Sequence, residues 1–280
     1  MNSEMKSVAC GWRGMAASVP GNGHLRRELP CQDASAYIDF GHPALIALDG
    51  RGSSPLSQEG AAEGVALFRS MMSIMEPWLK HVLDVQEPPV EAMHHLGVLV
   101  HRTLVQAKTN CVWRCGETVD AAAFDFTAAI AIAGSRHVAC FQVGDGAIVI
   151  RERGKTKTVF VPDKGDAVNA TRFVGDVADG FCVKRLPISG IDGIAVMTDG
   201  IEHRVLDMNT MKPGPVFDAL FCEMKAGAFT RKELLCLLTA NGWWAQGNDV
   251  RDDDDRTLGI MIPEANGDPI CCKEKGDGIS

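Results

Sequence analysis

The spacing of hydrophobic positions changes several times along this chain, and the changes divide it into elements. Val8 to Val19 and Ala34 to Phe40 read as strands, and Ala44 to Leu48 is a short apolar strand that ends at Asp49. From about Ser57 to Val85 the period lengthens. Val65, Phe68, Met71, Met72, Met75 and Leu79 recur at helical spacing, and Pro88 to Lys108 predicts a second helix, paired with the first against one sheet face. Phe126 to Ala133, His137 to Val143 and Ala147 to Arg151 follow as strands, with Gly134-Ser135 as a tight connection and a meander as the economical arrangement. Gly193 to Met197 is a further strand, Pro213 to Lys225 and Arg231 to Ala240 are helical, and Thr257 to Ile262 is a last strand. Lys164 to Gly180 lacks periodicity and reads as a loop; whether it covers a site is left open.

This order lacks the strict strand-helix alternation of a doubly wound parallel fold. It predicts an α+β architecture of two mainly antiparallel sheets sandwiched between helix pairs. The expected organisation is one domain over residues 1–262 and a polar, flexible tail over 263–280.

Composition narrows the function classes. A chain of 280 residues that is 46% hydrophobic can bury a sizeable core, whereas a net charge of -8 argues against binding nucleic acid or an anionic membrane. Met1 to Ser7 is polar with no apolar segment following, and no apolar run approaches the roughly 20 residues that span a bilayer. The ten cysteines form no paired Cys-x-x-Cys arrangement and read as buried, inert thiols in a reduced, cytoplasmic protein. His94, His95 and His101 read as a solvated helix face and Trp243-Trp244 as a packing anchor. Gly21-Asn22-Gly23 lacks the third glycine of a dinucleotide fingerprint.

The candidate chemistry lies in short acidic turns. Leu48-Asp49-Gly50, Val143-Gly144-Asp145-Gly146 and Met197-Thr198-Asp199-Gly200 each follow an apolar run, with Gln32-Asp33 upstream and Asp254-Asp255-Arg256-Thr257 downstream. One Asp-Gly pair is ordinary turn chemistry. Together they would bring carboxylates from distant segments to one end of a sheet, where all-oxygen ligands suit Mg²⁺ or Mn²⁺ rather than zinc.

These turns also occur in a particular order. Gly23-His24-Leu25-Arg26, Leu29-Pro30-Cys31-Gln32-Asp33-Ala34, Leu48-Asp49-Gly50-Arg51, Gln142-Val143-Gly144-Asp145-Gly146, Met197-Thr198-Asp199-Gly200 and Asp254-Asp255-Arg256-Thr257 resemble the ordered motifs of the metal-dependent protein phosphatase 2C family, in particular its bacterial branch. The resemblance implies a four-layer αββα sandwich and a serine/threonine phosphoprotein phosphatase using two Mn²⁺ or Mg²⁺ ions, with a third in several members. By the same resemblance Asp49 bridges the two ions and the Gly50 carbonyl ligates one. Asp199 and Asp254 hold the second, Asp33 meets the first directly or through water, and Asp145 matches the third-ion position. A water between ions roughly 3.5 to 4 Å apart would attack the phosphomonoester in line. The implied partners are a phosphorylated protein and a cognate serine/threonine kinase.

Two family positions differ. An Arg that binds substrate phosphate is replaced by Glu28, which leaves Arg26, Arg27 or Arg51 to take that role. The His that follows the Asp-Gly motif in eukaryotic members is Arg51, which cannot readily give up a proton. His24 is the substitute general acid, or else a brace for the first loop. A non-catalytic module that binds a phosphoprotein or kinase is the alternative to an enzyme, and a hydrolase of small phosphomonoesters is a third reading.

Overall fold

The computed structural model describes residues 11–116, 118–160, 171–175, 181–239 and 253–264. Among the described residues are twelve strands and six α-helices, most of them in the expected layers. One sheet contains β1 (Trp12–Val19), β12 (Arg256–Pro263), β9 (Ile191–Met197), β6 (Ala147–Glu152) and β7 (Lys155–Thr158), in that spatial order. The other contains β2 (Ala34–Ile38), β3 (Ala44–Gly50), β4 (Phe126–Ala133), β5 (His137–Val143) and β8 (Cys182–Pro187). Every pairing in both is antiparallel. A small ribbon, β10 (Leu206–Asp207) with β11 (Lys212–Pro213), stands apart.

Helices α2 (Ser57–Leu83) and α3 (Val90–Arg114) cover the β3 sheet, and α5 (Val216–Lys225) and α6 (Arg231–Leu238) cover the β9 sheet. The central strands are therefore buried on both faces, which is why β3 and β4 read as continuous apolar runs rather than alternations. Their two faces differ in size. Ile46, Leu48, Ile130 and Ile132 meet the helices, whereas Ala47, Ala129, Ala131 and Ala133 face the other sheet, where small side chains let the sheets approach.

The meander expectation is corrected. β4 and β5 form a hairpin, but β6 leaves that sheet and pairs with β9 and β7 in the other. The turn Gly144-Asp145-Gly146 makes the crossing, and Gly144 has φ +86°, a conformation that favours glycine. Helix α3 runs on to Arg114, past the expected end at Lys108. Short elements escaped the sequence reading altogether: α1 (Asn22–Arg26), α4 (Glu202–Val205), β7, β8 and the ribbon.

Seven cysteines are free among the described residues. Cys111 and Cys140 are buried as expected, but Cys182 and Cys236 are exposed. His94 and His95 are exposed on α3, while His101 is half-buried and packs on Phe181 at 5.4 Å. No described helix is long and apolar enough to cross a membrane. Trp243-Trp244, most of Lys164 to Gly180 and the tail from residue 265 lie outside the described residues.

Candidate metal centre

The strand registers explain how distant acids meet. In one sheet Ala147 and Leu258 both pair with Met197, and Val19 pairs with Arg256, so Asp145, Asp199, the 253–255 turn and the loop after β1 emerge at the same end. In the other, Ala34 and Ala128 both pair with Leu48, which brings Asp33 and Asp49 to that same end. Carboxylate oxygens of Asp49, Asp145 and Asp199 lie within 4.8 Å of one another. They adjoin a cavity of about 580 Å³ whose wall includes Asp145, Asp199, Asp254, Glu202, His24 and Arg27.

The remaining acids occupy distinct places. Asp33 is buried and sits behind the cluster; its Oδ2 accepts from the Thr198 hydroxyl at 2.8 Å and lies 2.8 Å from the Thr257 hydroxyl. That contact ties the two sheets at the site. Asp254 faces the cavity, whereas Asp255 turns away. Asp255 accepts from the backbone N–H of Gly21 at 2.8 Å and of Gln32 at 2.5 Å, and its Oδ1 lies 2.8 Å from His24 Nδ1. The 253–254 backbone packs so tightly on Gly21 and Gly23 that a Cβ at either would collide with it. Those two glycines, without a nucleotide role, have a steric one.

The basic candidates separate. Arg26 pairs with Asp253 at 2.6 Å, Arg27 lines the cavity with its Nε donating to Gly23 O at 3.0 Å, and Arg51 pairs with Asp125 at 3.2 Å. Glu28, where the family's phosphate-binding Arg was expected, is exposed and has φ +55°. His24 braces the first loop through Asp255 and also lines the cavity.

The electrostatics call for a cation. Burial, then the charge of Asp255, pushes Asp33 up to about 8; burial, then Asp254 and Asp145, pushes Asp199 up to about 7. Burial, then Asp33 and Asp199, holds Asp49 well above the ordinary carboxylate range, and burial raises Asp254. Asp199 Oδ1 is buried with no hydrogen-bond partner. Oxygen donors that are crowded, mutually repelling and partly unsatisfied fit a hard divalent cation. Cys31 does not compete for one, because burial and the neighbouring acids push its thiol up and keep it protonated.

Sequence reasoning gave no role to Glu202, although it lies three residues after Asp199. It is 4% exposed, lines the cavity, has an unpartnered Oε1, and is pushed up to about 9 by burial, then by Asp199 and Asp145. Only its place in the motif could have signalled it.

A pH dependence follows. Asp33, Asp199 and Glu202 titrate in the folded chain at about 8, 7 and 9, against ordinary values of 3.8, 3.8 and 4.5. Across those windows the folded state binds more protons than the unfolded one, so their contribution is present in acid and lost as pH rises. With chelator, the wild-type Tm is expected to fall from pH 5 to pH 8 more steeply than that of Asp199→Asn, and Mn²⁺ should reverse the fall. Parallel Tm curves for the two proteins would refute the clustering.

The chain is similar to several known proteins. A family model described as protein phosphatase 2C matches residues 20–239. Serine/threonine-protein phosphatase 3 of Escherichia coli K12 is 26% identical over 262 residues, spanning 90% of this chain and 98% of its own. Among solved structures, the catalytic domain of the serine/threonine protein phosphatase PstP in complex with 2 manganese ions aligns with a TM-score of 0.58 at 13% identity, covering 91% of this chain and 99% of that one. Stp1 from Staphylococcus aureus, a serine/threonine phosphatase, aligns with a TM-score of 0.56 at 11% identity, covering 95% and 100%. At such identities the structural likeness speaks for the fold.

Proposed function

The chain belongs to the protein phosphatase 2C family of serine/threonine phosphatases, and from that premise we propose that it hydrolyses phosphoserine or phosphothreonine in proteins at the Asp49–Asp145–Asp199 cluster. The observation that carries this reading is the convergence of those three carboxylates within 4.8 Å at the wall of one cavity. Asp49 and the Gly50 carbonyl would hold one Mn²⁺ or Mg²⁺, with Asp33 behind it. Asp49, Asp199 and Asp254 would hold a second, and Asp145 would offer an oxygen to a third. Ions bound there supply an activated water and neutralise charge on the phosphoryl oxygens.

The chain's own residues do the rest. Thr198 and Thr257 hold Asp33 in place through its Oδ2. Arg27, on the cavity wall, offers guanidinium hydrogens to a phosphate. Because His24 Nδ1 faces Asp255, Nε2 is the ring atom that can hold a proton and release it toward the serine or threonine oxygen as the ester bond breaks. Arg26, engaged with Asp253, is a strut for the 253–255 turn rather than a phosphate ligand. A cognate serine/threonine kinase that phosphorylates the same protein is the partner this reading implies.

The test is turnover of a phosphothreonine peptide with and without Mn²⁺, alongside Asp199→Asn to exclude a contaminant. Mn²⁺-dependent hydrolysis that disappears in the variant is expected. Absence of turnover in a protein that binds Mn²⁺ would favour the phosphoprotein-binding module instead, and hydrolysis of small phosphates alone would move the substrate class.

A further inference from the structure

Ser18, Thr257 and Thr198 form a row of hydroxyls across the ends of three neighbouring strands. Ser18 of β1 pairs with Thr257 of β12, and Thr198 follows β9 directly. Glu264 N–H donates to Gly11 O at 2.7 Å, and Arg13–Ile262, Met15–Ile260, Ala17–Leu258 and Val19–Arg256 continue that alternation of backbone-bonded pairs. Ser18–Thr257 falls between the last two as a non-bonded pair, the kind in which opposed side chains come closest. The Thr257 carbonyl serves the other neighbour instead, accepting from Thr198 N–H at 3.4 Å.

Two groups from the opposite sheet meet this row. Asp33, just before β2, accepts from the Thr198 hydroxyl and lies 2.8 Å from Thr257 Oγ1 through the same Oδ2. Ser35 of β2 places its Oγ 2.9 Å from Ser18 Oγ, which in turn lies 2.7 Å from Thr257 Oγ1. Ser35, Ser18, Thr257 and Asp33 are thus linked in series across the sandwich. Counting protons gives the series a direction. Thr257 has one hydroxyl proton and two oxygens within reach, and an ionised carboxylate can only accept. Thr257 therefore donates to Asp33, Ser18 to Thr257, and Ser35 to Ser18. Each donated bond strengthens the next donor, and the last is charge-assisted. Thr198 and Thr257 are buried, so water has little access to replace either. Ser35, half-buried at the outer end, lines a cleft of about 440 Å³ where solvent can serve its remaining lone pairs. With Oδ2 taken by two hydroxyls, Asp33 Oδ1 accepts no hydrogen bond from the described residues and is the oxygen left for a cation.

We propose that Ser18 and Ser35 are positioning residues for the metal centre, which act through Thr257 to hold Asp33 ionised and aimed at the first ion. This rests on the phosphatase reading with bound metal. Calorimetric titration of the whole chain with Mn²⁺ tests it. Ser18→Ala should weaken Mn²⁺ binding on the order of tenfold, the low end of what residues supporting a metal ligand contribute. It should need correspondingly more Mn²⁺ for half-maximal turnover of a phosphothreonine peptide, and excess Mn²⁺ should recover the loss. Ser18→Thr, which restores a hydroxyl, should regain most of the affinity. Ser35→Ala should weaken binding in the wild-type background and add little to Ser18→Ala, because Ser35 reaches Asp33 only through Ser18. Both serine variants should be silent in Thr257→Val, which keeps the shape and breaks the series. Should Thr257→Val fail to fold, the Ser18–Ser35 cycle alone decides. An unchanged Mn²⁺ affinity in Ser18→Ala would overturn the proposal, even with a lowered Tm in chelator, since that pattern means a brace for the β1 edge. Fully additive effects of Ser18→Ala and Ser35→Ala would overturn it as well. If the wild type binds Mn²⁺ but hydrolyses no phosphopeptide, the phosphatase reading fails while the affinity series still judges the serines; a wild type that binds no Mn²⁺ overturns both.

Discussion

Asp49→Asn is expected to lower kcat/KM by on the order of 10³-fold or more with saturating Mn²⁺, since removing several kcal/mol of charge stabilisation from the transition state translates to a factor of that size. Asp49 is the penultimate residue of β3, paired across to Thr127. From there it contributes to the shared carboxylate cluster, and a neutral amide cannot serve two cations as a carboxylate does. Folding should respond in the opposite sense. Burial and the charges of Asp33 and Asp199 hold the Asp49 carboxyl well above its ordinary range, so its removal relieves repulsion in the metal-free chain. The variant should therefore melt no lower than wild type in chelator, and gain less from added Mn²⁺. Activity within tenfold of wild type would remove Asp49 from the site.

Asp255→Ala should produce the largest loss of stability, about 4 kcal/mol in urea unfolding, through the donors it strands. Gly21 N–H, Gln32 N–H and His24 Nδ1 all converge on this one carboxylate, which is 2% exposed. Water has little access to replace it. Because the same bonds hold the 253–255 turn against the first loop, Mn²⁺ affinity should weaken in parallel through Asp254, although Asp255 points away from the cavity. Asp255→Asn, which keeps the volume and one acceptor oxygen, should lose markedly less. A stability within 1 kcal/mol of wild type for Asp255→Ala would mean that the first loop is held by other contacts.

Much of this site was legible in the sequence because its acids sit in Asp-Gly turns at the ends of apolar strands, and both features leave local marks. Asp49, Asp145 and Asp199 could be named without coordinates for that reason. Partner choice leaves no such mark. The residues of β6 say that it is a strand, but the sheet it joins is decided by the crossing at Gly144 and by packing. Strand β8, with only half-buried and exposed residues, offers no apolar run to read. The run Asp252 to Asp255 has no internal asymmetry, so the turn of Asp255 away from the cavity depends on the backbone N–H groups of Gly21 and Gln32. Lys108 was read as the polar end of a helix. It is instead a buried cation within a longer one, because its partner Asp125 lies seventeen residues away.

Strand β12 lies between β1 and β9, and among the described residues β1 pairs with no other strand. While a ribosome has still to translate residue 256, β1 lacks this partner. At about 5 to 20 residues per second this leaves β1 waiting for some tens of seconds. The β3 sheet and its two long helices are complete in the nascent chain well before that, whereas Asp254 and Thr257 join the other acids only with β12. Hydrolytic competence should thus appear only once β12 has been translated, and a nascent phosphatase would leave its neighbours' phosphates alone until then.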